Sequence, residues 1–288
     1  MTRILVLGGT GMVGQAVARD SRDRKLDTVC AARSGGDVQL DLTDDDALRK
    51  LVRDVRPDVT INAAANVDHA AIEGSPGPAY LINARFVGVL AEAVREATGR
   101  LVHISTDQWW TGDGNAQHDE DAPVRILNEY ARSKLAGEAF ALTAPDALVV
   151  RTNVTGLRGT PGRPTFVEWV FETLDGDEPL RLFDDFFTST MAATDLARAL
   201  LDLAGTDQRG IINVASSQVS SKLEFVGAIA RAQGRPLREH EVASVRDLWP
   251  PRAESLGLDV RRAEHLLGRL LPDLGQTAEV LVAAHARP

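Results

Sequence analysis

Tyr130 and Lys134 stand four residues apart in Tyr130-Ala131-Arg132-Ser133-Lys134. On a helix that spacing puts both side chains on one face. A nearby ammonium lowers a phenol's pKa toward the working pH, so the phenol can give or take a proton. The chain has two tyrosines, and this is its one Tyr-x-x-x-Lys. Alone, the motif is weak, and a surface tyrosine beside a salt-bridging lysine is the commoner explanation. Upstream, Ser105-Thr106-Asp107 closes a short apolar run. A hydroxyl there would hold a substrate oxygen beside Tyr130, or else cap the following turn.

A second group of residues could hold a phosphate. Gly8-Gly9-Thr10-Gly11-Met12-Val13-Gly14 fits G-x-G-x-x-G on Gly9, Gly11 and Gly14, and G-x-x-G-x-x-G on Gly8, Gly11 and Gly14. Glycine lets the backbone approach a pyrophosphate seated on a helix N-terminus. Further on, Ala31-Ala32-Arg33-Ser34-Gly35 ends the second apolar run. An NAD-binding unit usually carries an acid near this point to hold the ribose 2′-hydroxyl. Here Ala32 is followed by Arg33 and Ser34, and Arg33 either forks onto a 2′-phosphate or is a solvated arginine at a loop start.

These residues need a scaffold that alternates strands and helices. Ile4–Leu7, Thr28–Ala32, Val59–Asn62, Leu101–Ile104 and Leu148–Arg151 read as buried strands. Gly14–Asp20, Asp44–Val55 with Thr43 as N-cap, Ala79–Ala97 and Asn128–Leu142 read as the helices between them. Nearly all-apolar strands alternating with helices predict an α/β fold, a doubly wound parallel Rossmann sheet covered on both faces. The rhythm loosens after about residue 152. Residues 156–164 read as a loop and Thr165–Leu174 as a helix, followed by a strand at Leu180–Phe183. Thr194–Leu203 reads as a helix, Gly210–Val214 as a return to the sheet, and Lys222–Gln233 and Val260–Leu267 as further helices. The expected division is a dinucleotide-binding domain over 1–152, with 184–214 returning to it. A smaller C-terminal substrate-binding domain takes 153–183 and 215–288.

Composition bounds the partners. The chain of 288 residues is 44% apolar and 25% charged, ordinary values for a soluble globular protein. Its 41 acidic and 32 basic residues give a net charge of −9, which argues against nucleic-acid and acidic-membrane partners. No apolar run approaches the ~20 residues of a membrane span, and Met1-Thr2-Arg3 runs straight into the first strand. The single cysteine, Cys30, needs no oxidising compartment. The expectation is a cytoplasmic protein. The six histidines show no metal spacing, so no metal is expected. Trp109 and Trp110 read as packing residues, and Asp44-Asp45-Asp46 as favourable charge at a helix N-terminus.

With these segments in place, the chain resembles the extended short-chain dehydrogenases/reductases, and most of all their dTDP-4-dehydrorhamnose reductase branch. The matching segments are Gly8–Gly14, Asn62-Ala63-Ala64-Ala65, Ser105-Thr106-Asp107, YARSKLAGE over 130–138, Arg151-Thr152, and Leu258-Asp259 after Arg252. The resemblance implies that Thr106, Tyr130 and Lys134 are catalytic. It implies a cofactor, NADPH rather than NADH, along Gly8, Thr10, Gly11, Met12, Val13 and Gly14. Arg33 and Ser34 would meet the 2′-phosphate, and Asp41 and Leu42 the adenine. Ala63, Ala64 and Ala65 would run past the pyrophosphate and ribose, supported by Asn83, with Ser105 and Asn153 also near the cofactor. Asp107, Gln108, Trp109 and Asn153 would face the substrate, and Arg252 would meet the phosphates of a nucleotide sugar. A homodimer through residues 79–97 and 128–142 is implied as well.

Three segments depart from that branch. It carries S-T-D-Y-V-F, R-T-S-W-V-Y and D-Q-F-G-A-P-T where this chain has Ser105–Trp110, Arg151–Gly156 and Asp184–Thr190. All three lie on the substrate side, so the expected activity is an NADPH-dependent keto-reduction of a nucleotide-linked deoxysugar that is not fixed as dTDP-4-dehydrorhamnose. The related 4,6-dehydratases use an Asp-Glu pair, but Asp107 is followed here by Gln108, whose amide cannot serve as the second acid or base. The alternatives are an NDP-sugar 4-epimerase with bound NAD and a non-catalytic NADP-binding regulatory subunit.

Overall fold

The computed structural model describes residues 2–159, 164–176 and 180–286. Part of the expected loop over 156–164, residues 160–163, lies outside the described residues. The chain forms two compact units. The first comprises Met1–Thr106, Ile126–Arg151 and Ala197–Ile212, and the second Asp107–Arg125, Thr152–Leu196 and Asn213–Pro288.

The first unit is built on a seven-stranded sheet in the order Gly210–Asn213, Ala147–Arg151, Arg100–Ile104, Val59–Asn62, Arg3–Leu7, Asp27–Ala32, Val38–Gln39. Every neighbouring pair from Ala147–Arg151 to Val38–Gln39 is parallel. The strands read as apolar runs because helices cover both faces and water reaches neither. Leu5, Leu7, Leu101 and Val149 from the sheet pack with Leu48, Phe86 and Leu90 from the helices. Strand order reverses beside Arg3–Leu7, which has Asp27–Ala32 on one side and Val59–Asn62 on the other. Ligands of doubly wound sheets bind outside the carboxyl ends of the strands at such a switch point.

The second unit has only short strands. Ser220–Ser221, Phe187–Thr188, Ser255–Leu258 and Gln117–His118 form one small sheet. Asn153–Thr155 pairs with Thr190–Ala192, and Leu180–Phe183 with His240–Ala243. Helices Phe166–Asp175, Lys222–Ala232 and Leu274–His285 contribute Phe171, Phe225 and Leu281 to its core.

The structure corrects several expectations. Residues 107–125 belong to the second unit, because Gln117–His118 pairs with Gly257-Leu258 from the far end of the chain. Of 184–214, only 197–212 belongs to the first unit. The N-cap of helix Asp45–Val55 is Asp44, which accepts from the Ala47 N–H at 3.0 Å, and not Thr43. Thr43 is held instead by Asp41, whose carboxylate takes both its N–H and its hydroxyl. The helix expected over 79–97 is a single turn at Gly77–Tyr80, a π-helical stretch at Leu81–Arg85 and an α-helix at Phe86–Glu96.

Candidate active site

The first unit shapes its glycine turn by close approach. Gly8 has φ +76°, and a β-carbon on it would lie 2.8 Å from the Ala64 nitrogen. A β-carbon on Gly14 would lie 2.1 Å from the Gly8 carbonyl oxygen, so helix Met12–Asp23 can start here only with glycine. No side chain caps that helix, whose N-cap is Gly11. Its first N–H groups and the positive end of its dipole are therefore available to an anion. Thr10 is exposed, and Met12 and Val13 are half-buried. Ala63 and Ala64 pass directly beside Gly8, with the Ala64 N–H held by the Asn62 side chain at 3.1 Å, and Ala65 follows them. This cradle fits a dinucleotide pyrophosphate.

The turn after Asp27–Ala32 meets the same loop, since a β-carbon on Gly35 would sit 3.5 Å from the Thr10 methyl. Arg33 and Ser34 are exposed there. The Asp41 carboxyl is held below the usual range by its two hydrogen bonds from Thr43 and by the nearby Arg33 charge. Leu42 is half-buried against the core. Asp37 is an acid near the strand end that the sequence reading passed over. It is occupied by the Cys30 N–H at 2.8 Å and faces Arg22 at 3.7 Å.

Helix Glu129–Ala141 carries the proton-handling pair. Asn128 caps it by accepting from the Ala131 N–H at 2.9 Å. Tyr130 is buried to 9% exposure beside Ile72 and Ala79, its ring 4.3 Å from that of His69. Lys134 is 2% exposed and donates to the Ile104 carbonyl at 2.8 Å. Burial pushes its pKa down to about 8, against the opposing pull of Glu138. It thus remains an ammonium at neutral pH, yet exchanges its proton far more readily than a surface lysine. Ile104 leads into Ser105 and Thr106, both buried, and the Ser105 hydroxyl has no hydrogen-bond partner among the described residues. A buried hydroxyl left in that state is costly unless a ligand completes it.

Asn83 holds the frame behind this pair. It is 1% exposed and lies in the π-helical stretch. Its amide accepts from the Asn66 N–H at 2.7 Å and donates to the Asn66 carbonyl at 2.9 Å and to Ser133 Oγ at 3.0 Å. Ser133 in turn donates to the Tyr130 carbonyl at 2.8 Å. One side chain therefore ties the segment after Ala65 to the helix of Tyr130 and Lys134. Gly137 permits the approach, as a β-carbon there would lie 2.1 Å from the Asn83 carbonyl oxygen.

In the second unit Asp107 is 2% exposed, and burial raises its pKa to about 6. It accepts from Asn153 Nδ2 at 2.6 Å and Gln108 Nε2 at 3.3 Å. Asn153 Oδ1 accepts from Thr190 at 2.6 Å, so both ends of that amide are engaged in positioning Asp107. Asn153 thus supports Asp107 with one N–H and one lone pair of its amide. Trp109 is wholly buried and offers no face to a substrate, which corrects the expectation for it. Trp110 stacks on His118 at 4.4 Å and donates to the Pro123 carbonyl. Arg252 is half-buried in the segment leading to strand Ser255–Leu258. The sequence reading placed Thr188 and Thr190 only within the substrate-side segment Asp184–Thr190 and missed Lys222, whose charge acts on Asp107. It also assigned no role to the buried pair of Glu138 and Arg151.

Among the described residues no group of histidines, cysteines and carboxylates could hold a metal ion, and no helix is long and apolar enough to cross a membrane.

A doubly wound sheet with a glycine cradle at its switch point, a serine–threonine strand end and a Tyr-x-x-x-Lys helix defines an oxidoreductase of the extended short-chain dehydrogenase/reductase type. A family model described as "RmlD substrate binding domain" matches residues 1–262, and the chain belongs to that family. It is 36% identical over 235 residues to the dTDP-4-dehydrorhamnose reductase of Mycolicibacterium smegmatis, covering 81% of this chain and 69% of that one. It is 30% identical to the probable low-salt glycan biosynthesis reductase Agl14 of Haloferax volcanii over 97% of both chains. Among solved structures, the dTDP-4-dehydrorhamnose reductase of Bacillus anthracis in complex with NADP superposes with a TM-score of 0.86, at 23% identity over 98% of each chain.

Proposed function

We propose that the protein reduces a keto group on a nucleotide-diphosphate-linked deoxysugar, with NADPH as cofactor. The observation that carries the reading is the buried pair of Tyr130 and Lys134 behind a strand end whose Ser105 hydroxyl is unsatisfied. Relatives acting on dTDP-4-dehydrorhamnose support the substrate class.

Gly8 to Gly14 and Ala63 to Ala65 would hold the dinucleotide, which when bound supplies the hydride for the carbonyl carbon. Lys134 would position the ribose, and its charge favours the ionised phenol of Tyr130. Tyr130 gives its proton to the developing alkoxide oxygen. Thr106 steadies that oxygen by hydrogen bonding, and Asn83 fixes the helix through Ser133. The low exposure of Thr106, Tyr130 and Lys134 keeps bulk water from the proton transfer.

The substrate test compares nucleotide-linked with free keto-sugars. An acidic protein needs a local cation for the phosphates, and Arg252 is assigned that part. Arg252→Ala should raise KM for the nucleotide sugar and leave the NADPH Kd unchanged. Equal turnover of free and nucleotide-linked sugars would exclude the nucleotide requirement.

The cofactor preference rests on Arg33 and Ser34. With Ala32 at the strand end, the position that would carry a ribose-binding acid holds none, and the nearby Asp37 carboxylate faces the Cys30 N–H and Arg22. One charge-assisted contact contributes about 1.5–3 kcal/mol, so NADPH should be favoured over NADH roughly tenfold to a hundredfold in kcat/KM. Arg33→Ala should remove most of that ratio. A wild type favouring NADH, or an Arg33→Ala ratio equal to wild type, would refute the assignment.

We infer a cytoplasmic homodimer as the working form. Phe140 and Leu142 are exposed on and just beyond helix Glu129–Ala141, and Phe140 packs over Gly88 of helix Phe86–Glu96. That apolar seam is where a second copy would be covered.

A further inference from the structure

His103 is a buried titratable group that the chemistry above leaves without a task. It stands fully buried in strand Arg100–Ile104, shortly before Ser105. Its neighbour across the parallel pairing with strand Val59–Asn62 is Asn62, also fully buried. Asn62 in turn lies beside Leu7, the residue before Gly8. His103 Nδ1 is 3.0 Å from Asn62 Nδ2, and Asn62 Oδ1 accepts from the Ala64 N–H at 3.1 Å. One line of hydrogen bonds thus runs from His103 through Asn62 to Ala64, whose nitrogen a β-carbon on Gly8 would meet at 2.8 Å. Every member of it belongs to the first unit.

The directions in this line follow from the atoms at its ends. A backbone N–H only donates, so Ala64 takes the oxygen end of the Asn62 amide and leaves the NH2 end for His103. His103 must then accept at Nδ1, and a neutral imidazole in that role carries its single proton on Nε2. A protonated ring would set N–H against N–H at Nδ1. Turning the amide over to relieve that would set its NH2 against the Ala64 N–H. The arrangement therefore works only with a neutral ring. Burial pushes the His103 pKa well below the usual value, and the Lys134 charge acts in the same direction. Nε2 has no hydrogen-bond partner among the described residues, and a β-carbon on Gly137 would lie 3.4 Å from it. A buried donor without an acceptor costs free energy that an apolar side chain would not. What the ring supplies in return is the Nδ1 acceptor for Asn62.

We propose that His103 is a positioning residue for dinucleotide binding, holding Asn62 so that Ala64 stays seated against the Gly8 turn. This rests on the reading of that cradle as the cofactor site, and adds the residue that keeps the cradle formed before the cofactor arrives. Without the Nδ1 acceptor the Asn62 amide turns to other partners and the Ala64 N–H loses its hold. Only a fraction of the molecules then presents a formed cradle, and apparent affinity falls by that fraction. Saturating cofactor draws the population back, so the loss falls on Kd and KM and spares kcat.

The test is NADPH binding by fluorescence titration of the full-length protein, with steady-state reduction of dTDP-4-dehydrorhamnose alongside. His103→Leu should raise the NADPH Kd and KM about tenfold, with kcat at saturating NADPH within about threefold of wild type. His103→Asn places an amide oxygen where Nδ1 stood and should recover most of the affinity. Asn62→Ala should weaken binding by a similar factor, and adding His103→Leu to it should cost no more than about twofold further. If His103→Leu does not fold, His103→Gln takes its place, since its amide reaches out toward the Nε2 position and leaves Asn62 without its acceptor. A Kd within about twofold of wild type, a fall in kcat with KM unchanged, or effects that multiply in the double variant would each overturn the proposal. If the wild type binds NADPH without reducing that sugar, the keto-reduction reading fails separately and the Kd comparisons decide. If it binds neither NADPH nor NADH, the cofactor reading fails, and amide hydrogen exchange of the free protein decides the role of His103. Exchange at Ala64 roughly tenfold faster in His103→Leu and restored in His103→Asn sustains it, and exchange as in wild type overturns it.

Discussion

Tyr130→Phe is expected to lower kcat by about 10²–10⁴ while NADPH affinity stays within roughly twofold of wild type. The phenol is asked only for a proton. Its ring is held by Ile72, Ala79 and the tilted contact with His69, and phenylalanine fills the same volume. Lys134 keeps its bond to the Ile104 carbonyl, and the helix keeps its Asn128 cap and its tie to Asn83. Loss of packing therefore contributes little, and the effect belongs to the hydroxyl. Single-turnover reduction with saturating NADPH isolates that step from product release. A variant retaining more than about a tenth of wild-type rate, well above what loss of a general acid allows, would remove Tyr130 from the acid role.

The parts of this site that sequence shows are those set by local chemistry. The buried parallel strands appear as apolar runs, and Gly8 to Gly14 appears because backbone approaches backbone there. Tyr130 and Lys134 appear because helical periodicity fixes their common face. What stays hidden is decided between distant segments. The π-helical turn at Leu81–Arg85 has no sequence signature of its own, and the close contact of Gly137 with Asn83 is visible only once two helices are packed. Residues 107–125 join the second unit through the pairing of Gln117–His118 with Gly257-Leu258, two residues on each side and too short for any periodicity. The choice of Asp44 over Thr43 as cap turned on Asp41, which binds Thr43 first. Lys222 was read only as the start of a helix, because its phenylalanine and threonine neighbours come from three other segments.

Breaking the Arg151–Glu138 pair should have the largest effect on stability. Arg151 donates to Glu138 through Nε at 3.0 Å and Nη2 at 2.9 Å, a two-pronged contact with side-chain exposures of 4% and 2%. Arg151 ends strand Ala147–Arg151, and Glu138 lies one turn beyond Lys134, so the pair pins the catalytic helix to the sheet. Removing one partner leaves a buried charge without its counterion, which costs about 3–5 kcal/mol. Arg151→Met and Glu138→Leu should each lose that much in urea unfolding. The double variant should recover most of it, because two apolar side chains of similar volume need no solvation. Activity should separate from stability in that variant. An apolar contact is non-directional and holds helix register less tightly than the fork, and misplacement of a catalytic group by about 1 Å can cost ~10²-fold. A stable double variant with reduced kcat is therefore the expected result. Single variants that lose less than about 1 kcal/mol would mean that water reaches the pair, since exposed ion pairs contribute only that much.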